Sequence, residues 1–314
     1  MYVILRLLYT IPIALGVTIF VFALIHLSGD PLNAVVAPDA TAETVEKLRK
    51  DYGFDRPLPI QYMSWLGKAL QGDLGTSIVN SRPVLDTLLA AVPNTLMLAI
   101  AATLIGFTMG SFLGGLAGYY QGGIVDKLAT GFGITGVSIP HYWLGMVLVI
   151  IFAVELQWLP ATGMGAGGSS AWEWDWAHIK HLILPAVTLS VIPCGIITRT
   201  VRSTVAEILS QEFVQALRAK GLFHGHVMRH VARNAAPTVL AVMGLQLGYL
   251  LGGSILVETV FNWPGTGYLL NDAIFRRDIP MLQGTILLLA MFFVALNLLV
   301  DILQTWVDPR MRRS

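Results

Sequence analysis

Charge is scarce in this sequence. Asp, Glu, Lys and Arg make up 12% of its 314 residues, against about 25% in ordinary soluble domains, and that shortage excludes a conventional solvated globule. Charge of one sign does not dominate either: 20 Lys and Arg face 19 Asp and Glu, for a net charge of +1, so the basic excess a nucleic-acid-binding protein needs is missing. Cysteine occurs once, as Cys194 inside an apolar run, which excludes an intrachain disulfide and a cysteine metal cluster. No G-x-x-x-x-G-K-[ST] phosphate loop is present, because Gly67-Lys68 is followed by Ala69, and the chain by itself is expected not to hydrolyse ATP. An intramembrane serine protease would need a serine and a histidine facing each other within apolar segments; Ser77 and Ser169 lie in polar segments instead. Internal repeats and low-complexity tracts are absent as well.

Apolar length is what the sequence has in abundance. Hydrophobic residues make up 55%, mean hydropathy is +0.67, and uncharged runs cover residues 7–29, 87–125, 128–154, 181–198, 234–257 and 279–300. Crossing ~30 Å of hydrocarbon takes about 20 apolar residues in a helix, so each run holds one span, the second of them near residues 94–118. The fourth run, 18 residues long, extends past Arg199 and Arg202 by snorkelling. The first has an apolar core longer than the ~7 to 15 residues of a signal peptide, with no small-residue cleavage site directly after it, and is read as a retained helix.

Six spans put both termini on one side. With the N-terminus inside, eleven Lys and Arg fall inside and nine outside, and six of those nine lie in the long first loop. Long loops weigh little in the positive-inside rule, so the comparison is eleven against Lys180, Arg276 and Arg277, which orients the chain N-in, C-in. The expected fold is an all-α membrane protein of six transmembrane helices. A small external helical subdomain lies between helices 1 and 2, and a short cytoplasmic helix between helices 4 and 5. The divisions are 1–29 (first helix), 30–93 (external subdomain), 94–306 (transmembrane core, with an inner loop at 200–236) and 307–314 (cytoplasmic tail).

In the external subdomain, residues 41–52 read as a helix. Thr41 is its N-cap, Glu43 and Glu46 sit in the first turns, Lys47, Arg49 and Lys50 in the last, and Gly53 stops it. Pro57 and Pro59 break the chain before residues 60–70 resume helical spacing, with Tyr62, Trp65, Leu66 and Ala69 on one side. The second external segment, residues 155–180, carries Trp172, Trp174 and Trp176 among glycines. An interfacial tryptophan belt is preferred there to a ligand-stacking platform.

The inner loop is the most informative segment. Ser210 is placed to cap a short helix, Gln211 and Glu212 suit its positive end, and Gly221 ends it about three turns later. Phe213 and Leu217 share one face, with Ala216 beside them. Such a helix either lies on anionic lipid or plugs its aromatic side chain into a groove on a cytoplasmic partner. The pairs His178/His181 and His226/His230 have helical spacing, but neither has a cysteine or third ligand close in sequence, so no metal site is expected. Gln246, Glu258, Asn297 and Asp301 lie in or at the ends of the last two spans; polar groups there either hydrogen-bond between helices or line a pathway.

The inner loop reads Gln215-Ala216-Leu217-Arg218-Ala219-Lys220-Gly221, followed by Arg229-His230 and Arg233-Asn234-Ala235. It resembles the coupling motif of binding-protein-dependent ABC importer permeases, and more narrowly of the dipeptide/oligopeptide/nickel permease family. The likeness runs nearly the full chain, through Gly29-Asp30-Pro31, Tyr52-Gly53-Phe54-Asp55-Arg56-Pro57, Gly72-Asp73-Leu74-Gly75 and Arg82-Pro83-Val84. It continues through Ile183-Leu184-Pro185-Ala186, Phe261-Asn262-Trp263-Pro264-Gly265, Arg277-Asp278 and Asp308-Pro309-Arg310. Gln215 and Leu217 depart from the general Glu-Ala-Ala start of the motif, while Ala216 and Gly221 fit it.

The resemblance implies a permease subunit, the first of two unlike ones, in the bacterial cytoplasmic membrane. Its expected partners are a second, homologous permease, two ABC ATPase subunits and an external substrate-binding protein, with ATP and Mg on the ATPases and no cofactor on this chain. It implies ATPase coupling through Glu212, Phe213, Ala216, Leu217, Arg218, Lys220 and Gly221, and binding-protein contacts at Tyr52, Asp55, Arg56 and Asp73. The expected substrates are di- and oligopeptides, with glutathione or nickel as the alternative within the family. An ion-gradient-driven secondary transporter, the different-class alternative, would want ionisable residues at mid-membrane, and Asp301 is the only acid inside a span beyond the ends.

Overall fold

Long uncharged segments satisfy their backbone polar groups internally, and in this chain they do so as helices. The computed structural model describes residues 2–27, 43, 46, 49, 50, 55–165 and 172–307. The helices are α1 (Tyr2–Leu27), α2 (Leu58–Leu70), α3 (Val84–Tyr119), α4 (Ile124–Ser138), α5 (His141–Leu148, continued by a π-helical stretch Val149–Glu155), α6 (Trp176–Leu209), α7 (Glu212–Ala219), α8 (His224–Val260), α9 (Thr266–Arg276) and α10 (Ile279–Val307). Among the described residues there is one isolated β-bridge, Thr76 with Pro83.

Val84–Tyr119, Trp176–Leu209 and Ile279–Val300 are long and apolar enough to cross a membrane as single helices. Two further spans result if each of two bent pairs counts as one, and Ile11–Ala23 is a shorter apolar helix. The third uncharged run is therefore not the straight span expected from composition: it bends by 102° between α4 and α5. Pro140 is the cause. It has no N–H to donate and forces its predecessor out of the helical region, so Ile139 sits at φ −85°, ψ 127°. The fourth run grows at both ends into the 34-residue α6, which contains Arg199, Arg202 and two prolines, Pro185 and Pro193.

The chain divides into two units. The first comprises Met1–Asn94 with Gly265–Ala295. Within it, α2 begins at Leu58 and holds Pro59 in its first turn, where a missing N–H costs nothing; the break expected through Pro59 lies two residues earlier, at Pro57. Tyr62 and Trp65 face α1. The Tyr62 hydroxyl lies 2.8 Å from Thr18 Oγ1, and Phe22 meets the Tyr62 ring edge-on at 5.5 Å. Val84, Leu88, Ala273 and Met281 form the apolar core of this unit. The helix expected at 41–52 lies largely outside the described residues; Glu46 and Lys50 are helical and pair at 3.7 Å.

The second unit comprises Thr95–Pro264 with Leu296–Ser314, and α6 is its axis. One apolar cluster joins Leu98 and Ala102 of α3 to Leu184 and Leu189 of α6, Leu250 and Val257 of α8, and Met164, Phe261 and Trp263. A second joins Ile197, Val201, Val205 and Ile208 of α6 to Val214 of α7 and Val227, Val231 and Ala235 of α8. Glycines let helices approach α6 closely on two sides. Gly106, Gly110, Gly114 and Gly118 of α3, one per turn, lie against the carbonyl oxygens of Ser190, Cys194, Thr198 and Arg202, and Gly195 of α6 lies against Gly133 of α4.

Candidate functional site

The short helix α7 hangs at the end of α6 on a platform made by α6 and α8. Its start is set by Gln211, in extended conformation at φ −74°, ψ 147°, with no side-chain cap. Ser210, expected to cap α7, instead closes α6: its hydroxyl donates to the Glu207 carbonyl at 2.7 Å. The end is a Schellman turn. Gly221, at φ +79°, donates to the Arg218 carbonyl at 2.9 Å, and the Leu222 N–H reaches the Leu217 carbonyl at 3.3 Å.

Orientation of this helix differs from the knob expected from sequence. Val214 is fully buried, and Phe213, Leu217 and Leu222 pack beside it on the α6–α8 cluster. The apolar face is thus consumed by the chain's own core. Glu212, Gln215, Ala216, Arg218, Lys220 and Gly221 form the exposed face. The apolar side chain that does project here is Phe223, 82% exposed at the start of α8; sequence reasoning passed over it because it lies outside the periodic stretch.

Beside this platform, Asp126 and Arg202 form a two-pronged ion pair. Arg202 Nε donates to Asp126 Oδ1 and Nη2 to Oδ2, both at 2.8 Å; the Gly122 N–H adds a bond at 2.8 Å and Thr130 Oγ1 one at 3.2 Å. Asp126 is 4% exposed, so its charge is compensated on all sides, as a buried carboxylate requires. The pair ties the first turn of α4 to α6 seven residues before α6 ends. Its members are 76 positions apart, and nothing local in the sequence announces it.

In the first unit, Asp278 does similar work. It caps α10 through the Met281 N–H at 3.3 Å, and it accepts bonds from the Ser77 hydroxyl and the Ile78 N–H, the latter at 3.2 Å. Arg277 before it sits in the left-handed region at φ +56°, turning α9 into α10. Asp278 is 3% exposed, so Asp278→Ala strands several donors at once. Expected is a loss of about 2 to 3 kcal/mol, read as faster proteolysis of residues 77–80, with Ser77→Ala having the smaller effect.

The tryptophan segment packs on its own unit. Trp172 lies 6.3 Å from the fully buried Trp263 and 5.6 Å from the His178 ring, while Trp174 and Trp176 are exposed. Asp175 caps α6, accepting from the His178 N–H at 2.8 Å and lying 2.5 Å from His178 Nδ1. Glu173 joins these two in a group whose ligand atoms lie within 4.8 Å, a third neighbour for His178 that spacing did not reveal. His181 is elsewhere, its Nδ1 3.0 Å from the Thr162 carbonyl. The His178 N–H and ring hold the Asp175 carboxyl below its usual range. The lowered value means the cap is complete above about pH 4 and is lost as pH falls through the depressed value. Tryptophan fluorescence should therefore show an acid transition below pH 4 that Asp175→Asn lacks.

Comparison with known proteins bears directly on this arrangement. Residues 106–313 match the family described as "Binding-protein-dependent transport system inner membrane component", and residues 1–99 match its N-terminal companion. The chain belongs to this permease family. The Escherichia coli O6:H1 "Glutathione transport system permease protein GsiC" is 39% identical over 313 residues, covering 99% of this chain and 98% of that one. Its Salmonella typhimurium counterpart is 38% identical with the same coverage. A solved structure of the MetNI methionine ABC transporter in inward-facing conformations matches at a TM-score of 0.57 and 19% identity, over 70% of this chain and 96% of that one, which supports the fold.

The permease is thus an inner-membrane subunit of an ABC importer, a transport component rather than an enzyme. Of its other sequence-selected residues, Gln246 (9% exposed) and Glu258 (0%) are buried, and Asn297 is half-buried. The Asp301 side chain lies outside the described ones, as does all of Tyr52. Asp55, Arg56 and Asp73 are exposed; the Arg56 carbonyl accepts from Gln61 and Asp73 from the Gly75 N–H at 2.9 Å. The structure does not gather these residues into one site. The α7 face is the candidate that is contiguous.

Proposed function

We propose that this permease moves glutathione or small peptides inward, and that full-length similarity to a glutathione transport permease carries that choice over nickel. Six crossings, N-in and C-in, fit the charge asymmetry if α1 and each bent pair count as one. Residues 30–93 then lie outside and α7 inside. A second permease and two ATPases complete the machine, ATP and Mg reside on those ATPases, and an external binding protein delivers the substrate.

In this reading the exposed residues Glu212, Ala216, Arg218 and Lys220, with Phe223 beside them, enter a groove on one ATPase. Phe213 and Leu217 act from behind by holding α7 to the α6–α8 platform, and Gly221 sets its end. Movement of the groove is passed to α6 and α8 together, because α7 is packed on both. Asp55, Arg56, Asp73 and Tyr52 are assigned to the binding-protein face. Gln246, Glu258, Asn297 and Asp301 are assigned to the pathway or its hinges.

The test is purification of the assembled transporter from its native membrane, followed by ATPase measurement and uptake of labelled glutathione, dialanine and nickel into proteoliposomes. ATP-dependent glutathione or dialanine uptake stimulated by the binding protein is expected. Recovery of the chain alone, with flux that follows an ion gradient and ignores ATP, would refute the importer assembly; nickel uptake alone would refute the substrate class.

A further inference from the structure

Helix α6 is enclosed on most sides by its own unit. The α3 glycines cover the backbone at Ser190, Cys194, Thr198 and Arg202; α4 covers Val191, Gly195 and Arg202; α8 packs against Ile197, Val201 and Val205. What remains is a stripe at helical spacing: Ile196, Arg199, Thr200 and Ser203. With Arg202 and Thr130 of α4 it lines an open hollow of about 460 Å³, within the size range of small-molecule sites.

The chemistry of this hollow is uneven in a useful way. Arg202 is neutralised by Asp126, whereas Arg199 is exposed and, among the described residues, no carboxylate pairs with it. The hydroxyl protons are already spent: Thr200 donates to Ile196, Ser203 to Arg199 and Thr200, and Thr130 to Asp126. Their oxygens therefore present lone pairs, and the net charge of the lining is positive. Such a wall is costly against lipid tails. It suits water and a solute carrying both a carboxylate and an ammonium group, the first for Arg199 and the second for the hydroxyl oxygens.

We infer that this stripe is the inner vestibule of the transport path, with Arg199 the contact for the substrate's carboxylate. The inference rests on the permease reading above and adds the place where the departing solute is held. α6 carries 34 residues, about 51 Å at 1.5 Å per residue, well over the ~30 Å of hydrocarbon. Arg199 lies ten residues from its α7 end, where the path would open to the cytoplasm.

The test uses the intact transporter in liposomes of neutral lipid, with Cys194→Ala and Ser203→Cys in this chain and labelling read by mass spectrometry. Anionic and cationic thiosulfonate reagents of equal size report the local potential. Expected is rapid labelling at position 203 and none at a Phe132→Cys control on the apolar face of α4. The anionic-to-cationic rate ratio should fall about tenfold when Arg199→Gln is added, the effect of one nearby charge on oppositely charged reagents in a wet site. Millimolar S-methylglutathione, which keeps the carboxylates and ammonium but has no thiol to consume the reagents, should slow labelling only while Arg199 is present. A ratio unmoved by Arg199→Gln overturns the inference. Protection by phosphatidylglycerol and not by S-methylglutathione also overturns it, since the hollow would then be a lipid-headgroup site. If the assembled transporter takes up neither glutathione nor dialanine while the reagent ratio still depends on Arg199, the substrate reading fails and the vestibule stands.

Discussion

Gly221→Pro is expected to lower ATP-driven uptake about tenfold or more while the permease still enters the membrane. Position 221 sits at φ +79°, and its N–H donates to the Arg218 carbonyl at 2.9 Å. Proline is locked near φ −65° and has no N–H, so it can supply neither the turn nor the bond. An ordinary residue in the left-handed region already costs about 1 to 2 kcal/mol, and an eight-residue helix has little stability of its own to spare. The damage should stay local, because no atom approaches within 4 Å of where a side chain would begin at Gly221. Gly221→Asn is the matching control: asparagine tolerates this backbone and keeps the N–H, so it should retain most uptake. Comparable loss in both variants would mean that side-chain bulk at the proposed ATPase contact, rather than the turn, is what matters.

The same geometry changes the meaning of Phe213. Read from sequence, Phe213 and Leu217 form a projecting knob, and a charge at 213 would only uncouple. In the fold both pack on the α6–α8 cluster, so Phe213→Asp also unseats α7. Periodicity identifies which residues of a short helix share a face. It does not tell whether that face meets the chain's own core or a partner, and here the core takes it.

Elsewhere, what could be read in advance followed the range of the interaction. Uncharged runs are local, so the long helices were visible; Pro140 was visible too, yet its effect on a run that composition treats as one span needed the backbone of Ile139. The resemblance to importer permeases was legible because its motifs recur in order along the chain, and family and relatives agree with it. The Asp126–Arg202 pair, the Asp278 cap that holds Ser77 and Ile78, and the open stripe on α6 depend on residues brought together across tens to hundreds of positions. The sequence shows these residues one by one, Asp278 within a motif and Arg199 and Arg202 at the end of an apolar run, but not which of them meet.

Gly114→Val should be the most damaging substitution within the membrane core. A β-carbon at position 114 would stand 2.5 Å from the Thr198 carbonyl oxygen and 2.7 Å from Val201 Cβ, where even a close C–H to oxygen contact needs about 3.3 Å. Neither obstacle is a flexible side-chain end, so α3 and α6 must part by most of an ångström. That separation is felt along the whole row, since Gly110 and Gly118 stand in similarly tight contact with Cys194 and Arg202. Dispersion falls off steeply over such a gap, and overpacking in a filled interior typically costs about 1 to 3 kcal/mol, more where the backbone cannot yield. The upper end is expected here, because α6 is held on its other side by Gly195 against Gly133 and has nowhere to retreat. Gly115, one residue on, has nothing within 4 Å. Gly115→Ala should be neutral or slightly stabilising, as alanine is about 1 kcal/mol the better helix former. Heating the purified transporter in lipid discs and measuring the fraction that survives gel filtration separates the two: Gly114→Val should drop out well below the wild-type temperature and Gly115→Ala should not. If Gly114→Val survived equally, α3 and α6 would have to be free to slide apart, and α6 could then make the coupling movement proposed for it without carrying α3 along.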